Sequence, residues 1–373
     1  MRVVHFAETL IGGPATHLNQ LLPFQVRAYD EVSVFCPQRH GHLIECAGVR
    51  VCLFPDTQRT IKGFAELYRH WRQHMLENSY DIVHLHSSFA GAVGRLQFAQ
   101  SETPIIYCSR GWSFAMDNSA SRKRFYGFAE RLLSYRADAI INISRNEDAL
   151  AAWAGVPRDK CRMIYNGIHD APWTPIEERR EPKRLLFVGR YDRQKGIDQL
   201  LEAMETLSRH GFALETIGGQ VVGKPLVDKF PDYIVNRGWQ NASEVQKAMG
   251  AADIIVVPSR WEGFGFVAVE AMRAGRPLVV SNVGGLSEIV VDGETGVLCA
   301  PNSSDAIIEG VLRLSKMNVR QLGINGRKRF EMLFTAERMF NEIDRTYRDV
   351  LGSRGLLATT GHVSQTTRME CSS

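Results

Sequence analysis

The segment PSRWEGFGFVAVEAMRAGRPLVVSNVGG, residues 258–285, places two carboxylates, Glu262 and Glu270, around a glycine-rich bend. The apolar run DIIVVPS leads into it, so we expect a buried strand, a bend and a helix that begins near Phe264 or Gly265. Glycines let the backbone approach a ligand closely, and free N–H groups at a helix start favour negative charge or polar oxygens. The segment therefore predicts a strand–bend–helix unit with a ligand site at its bend.

Short apolar runs of this kind alternate with helical stretches along the whole chain. The predicted strands are RVVHFAE, EVSVFCP, RVCLFPD, DIVHLHS, PIIYCSR, DAIINIS and CRMIYNG, then RLLFVGR, ALETIGG, YIVNRGW, DIIVVPS, PLVVSNV and GVLCAP. Such alternation is typical of parallel sheets built from βαβ units. The predicted fold class is therefore α/β, with two Rossmann-like, doubly wound domains that face a cleft. Ligands bind at the carboxyl ends of the strands in such folds.

Composition along the chain predicts the domain boundaries. We expect a first domain over residues 1–172 and a second domain over 184–334, joined by a proline- and charge-rich linker over 173–183. An amphipathic helix over 335–352 is expected to pack back on the first domain. The Ser-, Thr- and Gly-rich tail, 353–373, is expected to be disordered.

Bulk properties exclude several classes of protein. The 373 residues are 44% apolar and 23% charged, and the net charge of +4 is too small to demand a nucleic-acid partner. No apolar run approaches the ~18 residues of a membrane span, and the N-terminus lacks the apolar core of a secretion signal. The seven cysteines are scattered without a C-x-x-C pair, which is typical of buried reduced thiols. We therefore expect a cytoplasmic protein.

Two further segments place candidate ligand-binding residues at strand ends. VGRYDRQKG follows the strand RLLFVG, so Arg190 and Lys195 stand before the next helix. Two cations there would stabilise the charge that grows on a leaving phosphate, although this spacing also occurs in solvated basic loops. ETLIGGPATHL puts Gly12 and Gly13 directly after the first strand, where an ordinary turn is the simpler interpretation.

The two glutamates of the opening segment also have two interpretations. Glu262 either accepts hydroxyl groups at the mouth of the cleft or is a surface loop residue. Glu270 either accepts from a vicinal diol such as a ribose or is a solvated helix residue. The pattern around them, PSRWEGFGFVAVEAMRAGRPLVVSNVGGLSEIVVDGETGVL, resembles the E-x7-E region of the family 4 retaining glycosyltransferases, which have the two-domain GT-B fold. The resemblance extends to LLFVGRYDRQKGIDQLLEAM, MIYNGI, ETLIGGPATHL and DIVHLHSS.

The resemblance implies transfer of a sugar from a nucleotide-diphosphate sugar with retention at the anomeric carbon. It makes residues 1–172 the acceptor-side domain and residues 184–334 the nucleotide-sugar-binding domain. A UDP-sugar is favoured over a GDP-sugar as co-substrate, and no cofactor and no metal are expected, because the sequence has no D-x-D pair. Arg190, Lys195 and Glu262 are the implied catalytic residues. The implied donor-binding residues are Gly12, Gly13, Arg190, Lys195, Phe264, Gly265, Phe266 and Glu270, of which Glu270 holds the ribose and Phe264, Gly265 and Phe266 offer backbone N–H groups.

One position departs from the family pattern. In PIIYCSRGWSF, Arg110 stands where the family usually has a histidine close to the reacting centre. Arginine does not deprotonate and so cannot be a base, but it can bind a hydroxyl, a phosphate or an acidic acceptor. His86, at the end of the strand DIVHLHS, and His17 are further acceptor-side candidates, each with a plain structural alternative.

Three remaining features have simple structural interpretations. Ser144 and Glu147 in NISRNED form a capping box, which we assign to structure. Trp239 would stack on a base, but the family reads the base there through backbone atoms. The basic helix SRKRFYGFAERLLSYRAD, residues 121–138, has apolar residues at helical spacing, which favours packing on a sheet. Its alternative role is contact with an anionic membrane surface.

The predicted enzyme is a retaining hexosyltransferase that acts on a glycan or lipid-linked saccharide in cell-surface polysaccharide or lipopolysaccharide synthesis. It would work in the cytoplasm or on the inner face of the membrane. In a front-face route, the leaving phosphate oxygen, held by Arg190 and Lys195, accepts the proton of the acceptor hydroxyl. The alternatives are a GT-B-type nucleotide-sugar epimerase and a non-catalytic nucleotide-sugar scaffold. A dehydrogenase is disfavoured, since no strand precedes a full G-x-G-x-x-G.

Overall fold

The computed structural model describes residues 1–96, 103–115, 119–177, 181–220, 226–227 and 229–356. In these ranges the chain forms two all-parallel sheets of seven and six strands with helices packed on them. Each observed strand lies within one of the predicted apolar runs. The predicted α/β, doubly wound fold class is therefore confirmed. Part of the predicted linker and the tail from residue 357 onward lie outside the described residues.

The first sheet holds seven strands within the described chain, with β1 and β4 at its centre. Its strands are β1 (Arg2–Ala7), β2 (Glu31–Pro37), β3 (Arg50–Phe54), β4 (Ile82–His86), β5 (Ile105–Cys108), β6 (Ala139–Asn142) and β7 (Cys161–Met163). They lie in the order β3-β2-β1-β4-β5-β6-β7. Its helices are α1 (Gly13–Ala28), α2 (Ile61–Glu77), α3 (Ser88–Leu96), α4 (Ala120–Ser134) and α5 (Arg145–Ala154), with 3₁₀ turns at Gln38–Leu43, Ser113–Ala115 and Arg158–Lys160. Because Ala7 pairs with His86 and His86 with Cys108, three strands end at one level.

The second sheet repeats this plan. Its strands are β8 (Arg184–Val188), β9 (Ala213–Ile217), β10 (Ile234–Asn236), β11 (Ile254–Val257), β12 (Leu278–Ser281) and β13 (Gly296–Cys299). They lie in the order β10-β9-β8-β11-β12-β13. The remaining helices are α6 (Ile197–Leu207), α7 (Ala242–Ala251), α8 (Phe266–Arg273), α9 (Leu286–Ile289), α10 (Ser304–Ser315), α11 (Val319–Leu333) and α12 (Ala336–Ser353), with a 3₁₀ turn at Ser208–His210.

The central strands are buried on both faces, which explains why they read as unbroken apolar runs in the sequence. All of β11 is buried, and so is β4, even though two of its five residues are histidines. Covering both faces forces the polar groups of these strands to find partners inside the protein. The strands can therefore offer ligands only their carboxyl ends and the loops that follow.

The last helix, α12, follows the second sheet in sequence but packs against α1 of the first. Met339, Ile343 and Tyr347 are buried on one stripe of α12. Tyr29 on the first domain donates a hydrogen bond to Asp344 at 2.9 Å. This helix therefore links the two domains through apolar packing on α1 and through the hydrogen bond between Tyr29 and Asp344.

Candidate active site

Three helices that follow central strands begin differently from most of the others. α1, α6 and α8 start after Gly12, Gly196 and Gly265, each with positive φ, and none carries a side-chain cap. By contrast, α2, α5, α7, α10, α11 and α12 are each capped by a Ser, Thr or Asn side chain. A cap of that kind occupies N–H groups at the helix start. The glycine starts leave these groups free for an anionic ligand.

The loop before α6 and the bend before α8 meet through opposite charges. Lys195 Nζ forms a hydrogen-bonded ion pair with Glu262 Oε2, and the two side chains are 18% and 12% exposed. The bend is held from below, because the Gly285 amide donates to the carbonyl of Glu262 at 3.2 Å. At Gly284, a Cβ would lie 1.8 Å from that carbonyl, so a side chain there would displace the bend. The predicted cation and the predicted acid are thus brought together.

Arg190 is placed in the same loop but is tied to its own neighbours. Its Nε lies 3.1 Å from Asp192 Oδ2, and its Nη2 donates to Gln194 Oε1 at 2.7 Å. Gln194 in turn donates to the carbonyl of Trp261 at 3.2 Å. The loop and the bend are therefore joined at several points, which include the ion pair of Lys195 and the hydrogen bond from the Arg260 amide to the Gln194 carbonyl at 2.8 Å.

Glu270 lies on α8 and is half-buried. Burial raises the pKa of its carboxyl, while the charges of Arg273 and Lys195 act in the opposite direction. No side-chain hydrogen bond to Glu270 is formed by the described part of the chain. Its oxygens are thus available as acceptors close to Lys195, as the diol-binding interpretation requires.

The first-domain loop that holds Gly12 and Gly13 approaches the second-domain bend that holds Phe264 and Phe266. The helix α8 begins at Phe266, slightly later than predicted, after Gly265 with φ of 110°. Phe264 is buried in the core, so only its backbone can face a ligand. A Cβ on Gly13 would lie 3.8 Å from the Phe266 ring, whereas one on Gly12 would meet nothing within 4 Å. The first-domain loop therefore reaches the second-domain site, with open space beside Gly12.

The two domains are also joined by a carboxylate that the sequence did not single out. Glu288 on α9 accepts hydrogen bonds from the amides of Arg145 and Asn146 at 2.8 and 2.7 Å. These amides start α5 of the other domain, and Tyr165 donates to the same carboxylate at 3.0 Å. A negative charge at a helix start is favourable. Glu288 thus links α9 of the second domain to the start of α5 in the first.

Beneath the first-domain edge lies a buried set of histidines. His5 Nδ1 and His86 Nε2 are 2.9 Å apart, and His5 Nε2 lies 2.7 Å from Gln25 Oε1. His84 Nδ1 meets the Tyr347 hydroxyl at 2.6 Å. Burial lowers the pKa of His84 and His86 well below the usual range and that of His5 to about 4, so all three are neutral. These three imidazoles bring nitrogens within 4.8 Å of one another; two of the rings already bond to each other.

The candidates Arg110 and His17 both contact the amide of Asn166, and His86 is joined to them through Arg110. Arg110 donates from Nη1 to Asn166 Oδ1 at 3.0 Å and from Nη2 to His86 Nδ1 at 2.9 Å. His17 Nδ1 lies 3.0 Å from the same Asn166 oxygen. His86 and His17 are buried, and the Nε2 of His17 finds no partner in the described chain. Of the three, Arg110 is the least buried and stands nearest to the cleft.

Glu147 is a functional candidate that the sequence reasoning assigned to structure alone. The predicted cap is confirmed, since the amide of Glu147 donates to Ser144 Oγ at 3.1 Å. Its carboxyl, however, is fully buried at the domain boundary, with Oε1 3.5 Å from where a Cβ on Gly263 would stand. Burial raises the pKa of this carboxyl to about 7, against the opposing effects of backbone amides and Arg110. In the sequence, only the position of NISRNED at the end of a strand indicated that Glu147 could have a functional role.

The basic helix α4 packs through a small polar face, and not through the apolar stripe whose helical spacing favoured packing on a sheet. The residues of α4 that are buried are Gly127, Glu130 and Ser134. Glu130 binds Arg95 at 2.7 Å in a buried ion pair, so a polar contact anchors the helix. The stripe itself faces outward, with exposed fractions between 55% and 67% at Phe125, Phe128, Leu132 and Tyr135. Trp239, the weak candidate for base stacking, is 59% exposed, and its ring lies against Gly219.

Comparison with known proteins agrees with this arrangement. Residues 11–171 match the model of glycosyltransferase family 4, and residues 174–329 match that of the glycosyl transferases group 1. An uncharacterized 41.2 kDa protein in the cps region of Klebsiella pneumoniae is 33% identical over 83% of this chain and 88% of its own length.

Solved structures share the fold at lower identity. Sucrose-phosphate synthase from Thermosynechococcus elongatus superposes with a TM-score of 0.80 over 95% of this chain and 100% of its own, at 22% identity. HepE from Anabaena, solved in complex with UDP-glucose, gives 0.78 over 94% of this chain and 100% of its own, at 19% identity. With both domains matched, the chain belongs to the family 4 glycosyltransferases, GT-B-fold enzymes that transfer a sugar from a nucleotide-sugar donor.

Proposed function

We propose that this enzyme is a retaining hexosyltransferase that uses a UDP-sugar and glycosylates a hydroxyl of a glycan or lipid-linked saccharide in cell-surface polysaccharide or lipopolysaccharide synthesis. The relative in the cps region supports the pathway class, and the UDP-glucose complex of HepE supports the nucleotide. The observation that carries the proposal is the ion pair of Lys195 with Glu262 between two uncapped helix starts.

In the proposed donor complex, the diphosphate lies against the N-termini of α6 and α8 and between Arg190 and Lys195. Glu262, already beside Lys195, accepts hydroxyl groups of the transferred sugar. Glu270 accepts the ribose hydroxyls with its unused oxygens. The helix α1, with its glycine start at the opposite side of the cleft, adds N–H groups toward the phosphates.

The proposed chemistry is charge stabilisation rather than covalent catalysis. As the glycosidic bond breaks, negative charge moves onto the leaving phosphate, where Lys195 and Arg190 stabilise it more than in the ground state. The phosphate oxygen accepts the proton of the acceptor hydroxyl while the new bond forms on the same face. The two cations supply the charge stabilisation that a divalent ion gives in metal-dependent enzymes.

Calorimetry with UDP and GDP tests the donor site directly. We expect UDP to bind the wild-type protein and the Lys195→Ala variant to bind it at least about tenfold more weakly, because a charge-assisted contact is lost. Lys247→Ala is the matched control, since Lys247 makes an exposed ion pair with Glu244 in the same domain. Equal UDP affinity in the Lys195→Ala variant contradicts the proposal, and tighter binding of GDP reassigns the nucleotide.

We further propose that the outer face of α4 docks on an anionic membrane surface. No helix in the described ranges is long and apolar enough to span a bilayer. The α4 face instead presents Phe125 and Phe128 beside Arg122, Arg124 and Arg131, all exposed. Apolar side chains between cations suit a headgroup layer, where each cation contributes about 1 kcal/mol.

Vesicle flotation tests this second proposal. We expect the protein to float with vesicles that contain phosphatidylglycerol and not with pure phosphatidylcholine, and to be released by salt. Phe128→Ser should weaken flotation while the stability stays within about 0.5 kcal/mol, because the side chain is exposed. Leu76→Ser, which removes an equally exposed residue on α2, is the control. Unchanged flotation of the Phe128→Ser variant rules out this face.

A further inference from the structure

Arg110 carries a charge that no carboxylate in the described chain neutralises by direct contact. Its three hydrogen bonds go to His86 Nδ1, from Nε at 3.3 Å and Nη2 at 2.9 Å, and to Asn166 Oδ1, from Nη1 at 3.0 Å. Arg273, Arg276 and Arg329 also donate to neutral groups, but those are backbone carbonyls. Arg110 is held by two neutral side chains instead, whereas Arg95 binds the Glu130 carboxylate at 2.7 Å. Because buried charge is costly without an opposite charge, an anionic ligand would stabilise Arg110.

The acceptors beneath Arg110 stay neutral for a structural reason. Because Arg110 donates to His86 Nδ1, that nitrogen carries a lone pair, and His86 Nε2 carries the proton that is donated to His5 Nδ1. His5 then donates from Nε2 to the Gln25 amide oxygen at 2.7 Å. The chain of donors ends on an amide, so no negative charge reaches the arginine from below. This relay fixes the side chain without cancelling its charge.

The guanidinium also has donors to spare. Three of its five N–H groups are used in the described structure, which leaves two for a ligand. The nearby Glu147 carboxyl accepts from the amide of Ile143 and makes no ion pair with Arg110 among the described contacts. A guanidinium with two unused N–H groups and no ion pair can bind two oxygens of a carboxylate or phosphate.

A strained turn places the backbone of Arg110 beside the bend that holds Glu262 and Gly263. Arg110 has φ of 58° and Gly111 has φ of 117°, and the first of these is unfavourable for a residue with a side chain. The turn brings Arg110 O and Gly111 Cα within 3.9 and 3.7 Å of where a Cβ on Gly263 would stand. Gly263 follows Glu262 directly. Strain of this kind persists where the surrounding structure enforces it, commonly at binding sites.

We propose that Arg110 forms an anion subsite in the cleft that binds a carboxylate or phosphate carried by one of the two sugars in the transfer reaction. The inference rests on the proposed glycosyl transfer and names its substrate class: an acidic sugar such as a uronic acid or a sugar phosphate. Donor and acceptor could each carry that group, and the chemistry at Arg110 is the same for both.

Paired probes separate these two sources. UDP-glucuronate and UDP-glucose differ only in the carboxylate at C6, and glucuronate and glucose, titrated with saturating UDP, make the same comparison for the acceptor. We expect the wild-type protein to prefer the acidic member of one pair by at least about tenfold. Preference within the nucleotide-sugar pair assigns the anion to the donor, and preference within the monosaccharide pair assigns it to the acceptor.

The variants Arg110→Met and Arg110→Lys complete the test. The methionine variant should lose the preference and keep the affinity for UDP itself, and the lysine variant should keep part of the preference; melting temperatures show that both are folded. No preference in either pair, or a preference that survives in Arg110→Met, overturns the proposal. Should UDP fail to bind, the donor assignment fails separately. Inorganic phosphate binding that is equal in wild type and Arg110→Met then overturns the subsite, and weaker binding in the variant supports it.

Discussion

The two edges of the cleft handle charge in opposite ways. On the second domain, cations stand beside acids: Lys195 pairs with Glu262, and Arg190 with Asp192. On the first domain, Arg110 rests on the neutral His86 and a neutral amide. Paired charges remain nearly neutral, and in the proposed donor complex a diphosphate and sugar hydroxyls separate them. An unpaired cation on a neutral relay keeps an electrostatic preference for an anion. The edge of the second domain, the charged edge, therefore suits one invariant ligand. The edge of the first domain, the neutral edge, suits discrimination among acceptors or sugars.

A double-mutant cycle on Lys195 and Glu262 of the charged edge tests this comparison most directly. Lys195→Ala and Glu262→Ala should each lower kcat/KM by about 10² to 10⁴, because each touches the donor where charge develops. The double variant should be little worse than the poorer single variant, since the two side chains act as a pair. Sugar transfer, or slow donor hydrolysis, provides the rate.

The control for that cycle is the exposed ion pair of Lys247 with Glu244, 2.7 Å apart on α7. Alanine at Lys247 should leave kcat/KM unchanged, because exposed pairs of this kind contribute little. If the losses at Lys195 and Glu262 simply multiply, the two side chains work independently, and the picture of a pair opened by the donor is wrong.

The charged edge was predictable because its residues lie in contiguous segments at strand ends. Lys195 stands in the loop after β8 and Glu262 in the bend after β11, and parallel neighbours end at the same edge. Part of the neutral edge was predictable for the same reason, since His86 ends β4 and Arg110 follows β5. The partner of Arg110, Asn166, lies outside any predicted site segment, and Glu288 of the second domain meets Arg145 across 143 positions of the chain. Nothing local in the sequence marks these two contacts.

Burial was the other quantity that sequence could not supply. Helical spacing placed Phe125 and Phe128 on one stripe of α4, and apolar stripes usually face the core. Glycine at position 127 and the buried pair of Glu130 with Arg95 made the opposite face the packing face. The same limitation hid Glu147, whose capping role is local but whose buried carboxyl depends on residues of the other domain.

Glu147→Gln tests whether the buried surroundings of Glu147, beside the neutral edge, disfavour the negative charge of its carboxylate. The pKa of about 7 lies above the unfolded value of about 4.5, so the folded state holds a proton that the unfolded state has lost between these values. Stability of the wild type should therefore fall as pH rises from 4.5 through 7, by up to about 3 kcal/mol. The variant lacks this fall and should gain on the wild type across the window in urea titrations. Glu309→Gln, at an exposed position, should run parallel to the wild type.

His5→Gln tests the same edge with the opposite sign. The pKa of His5 is lowered from 6.5 to about 4, so the unfolded state takes up a proton first as pH falls. The stability that neutral His5 provides should be intact above pH 6.5 and be lost on acidification toward pH 4, by no more than about 3 kcal/mol. The stability of His5→Gln should fall less steeply with acid, although five further buried histidines of the described chain keep the variant acid-sensitive. An equal gain in the exposed control His42→Gln would falsify this assignment.

The smallest expected effect concerns the spacing between the two edges. Glu288→Gln weakens a charge-assisted contact to the amides of Arg145 and Asn146 but keeps an acceptor oxygen, so the loss of stability should be about 1 kcal/mol. We expect the two domains to be held together less firmly, so the KM for the donor should rise while kcat changes little. Expressed as a free energy, the rise in KM should be about as large as the loss of stability. Glu294→Gln, an exposed neighbour, is the matched control. If the variant loses stability without any change in KM, the Glu288 contact stabilises the fold. It then does not set the distance between the charged edge and the neutral edge.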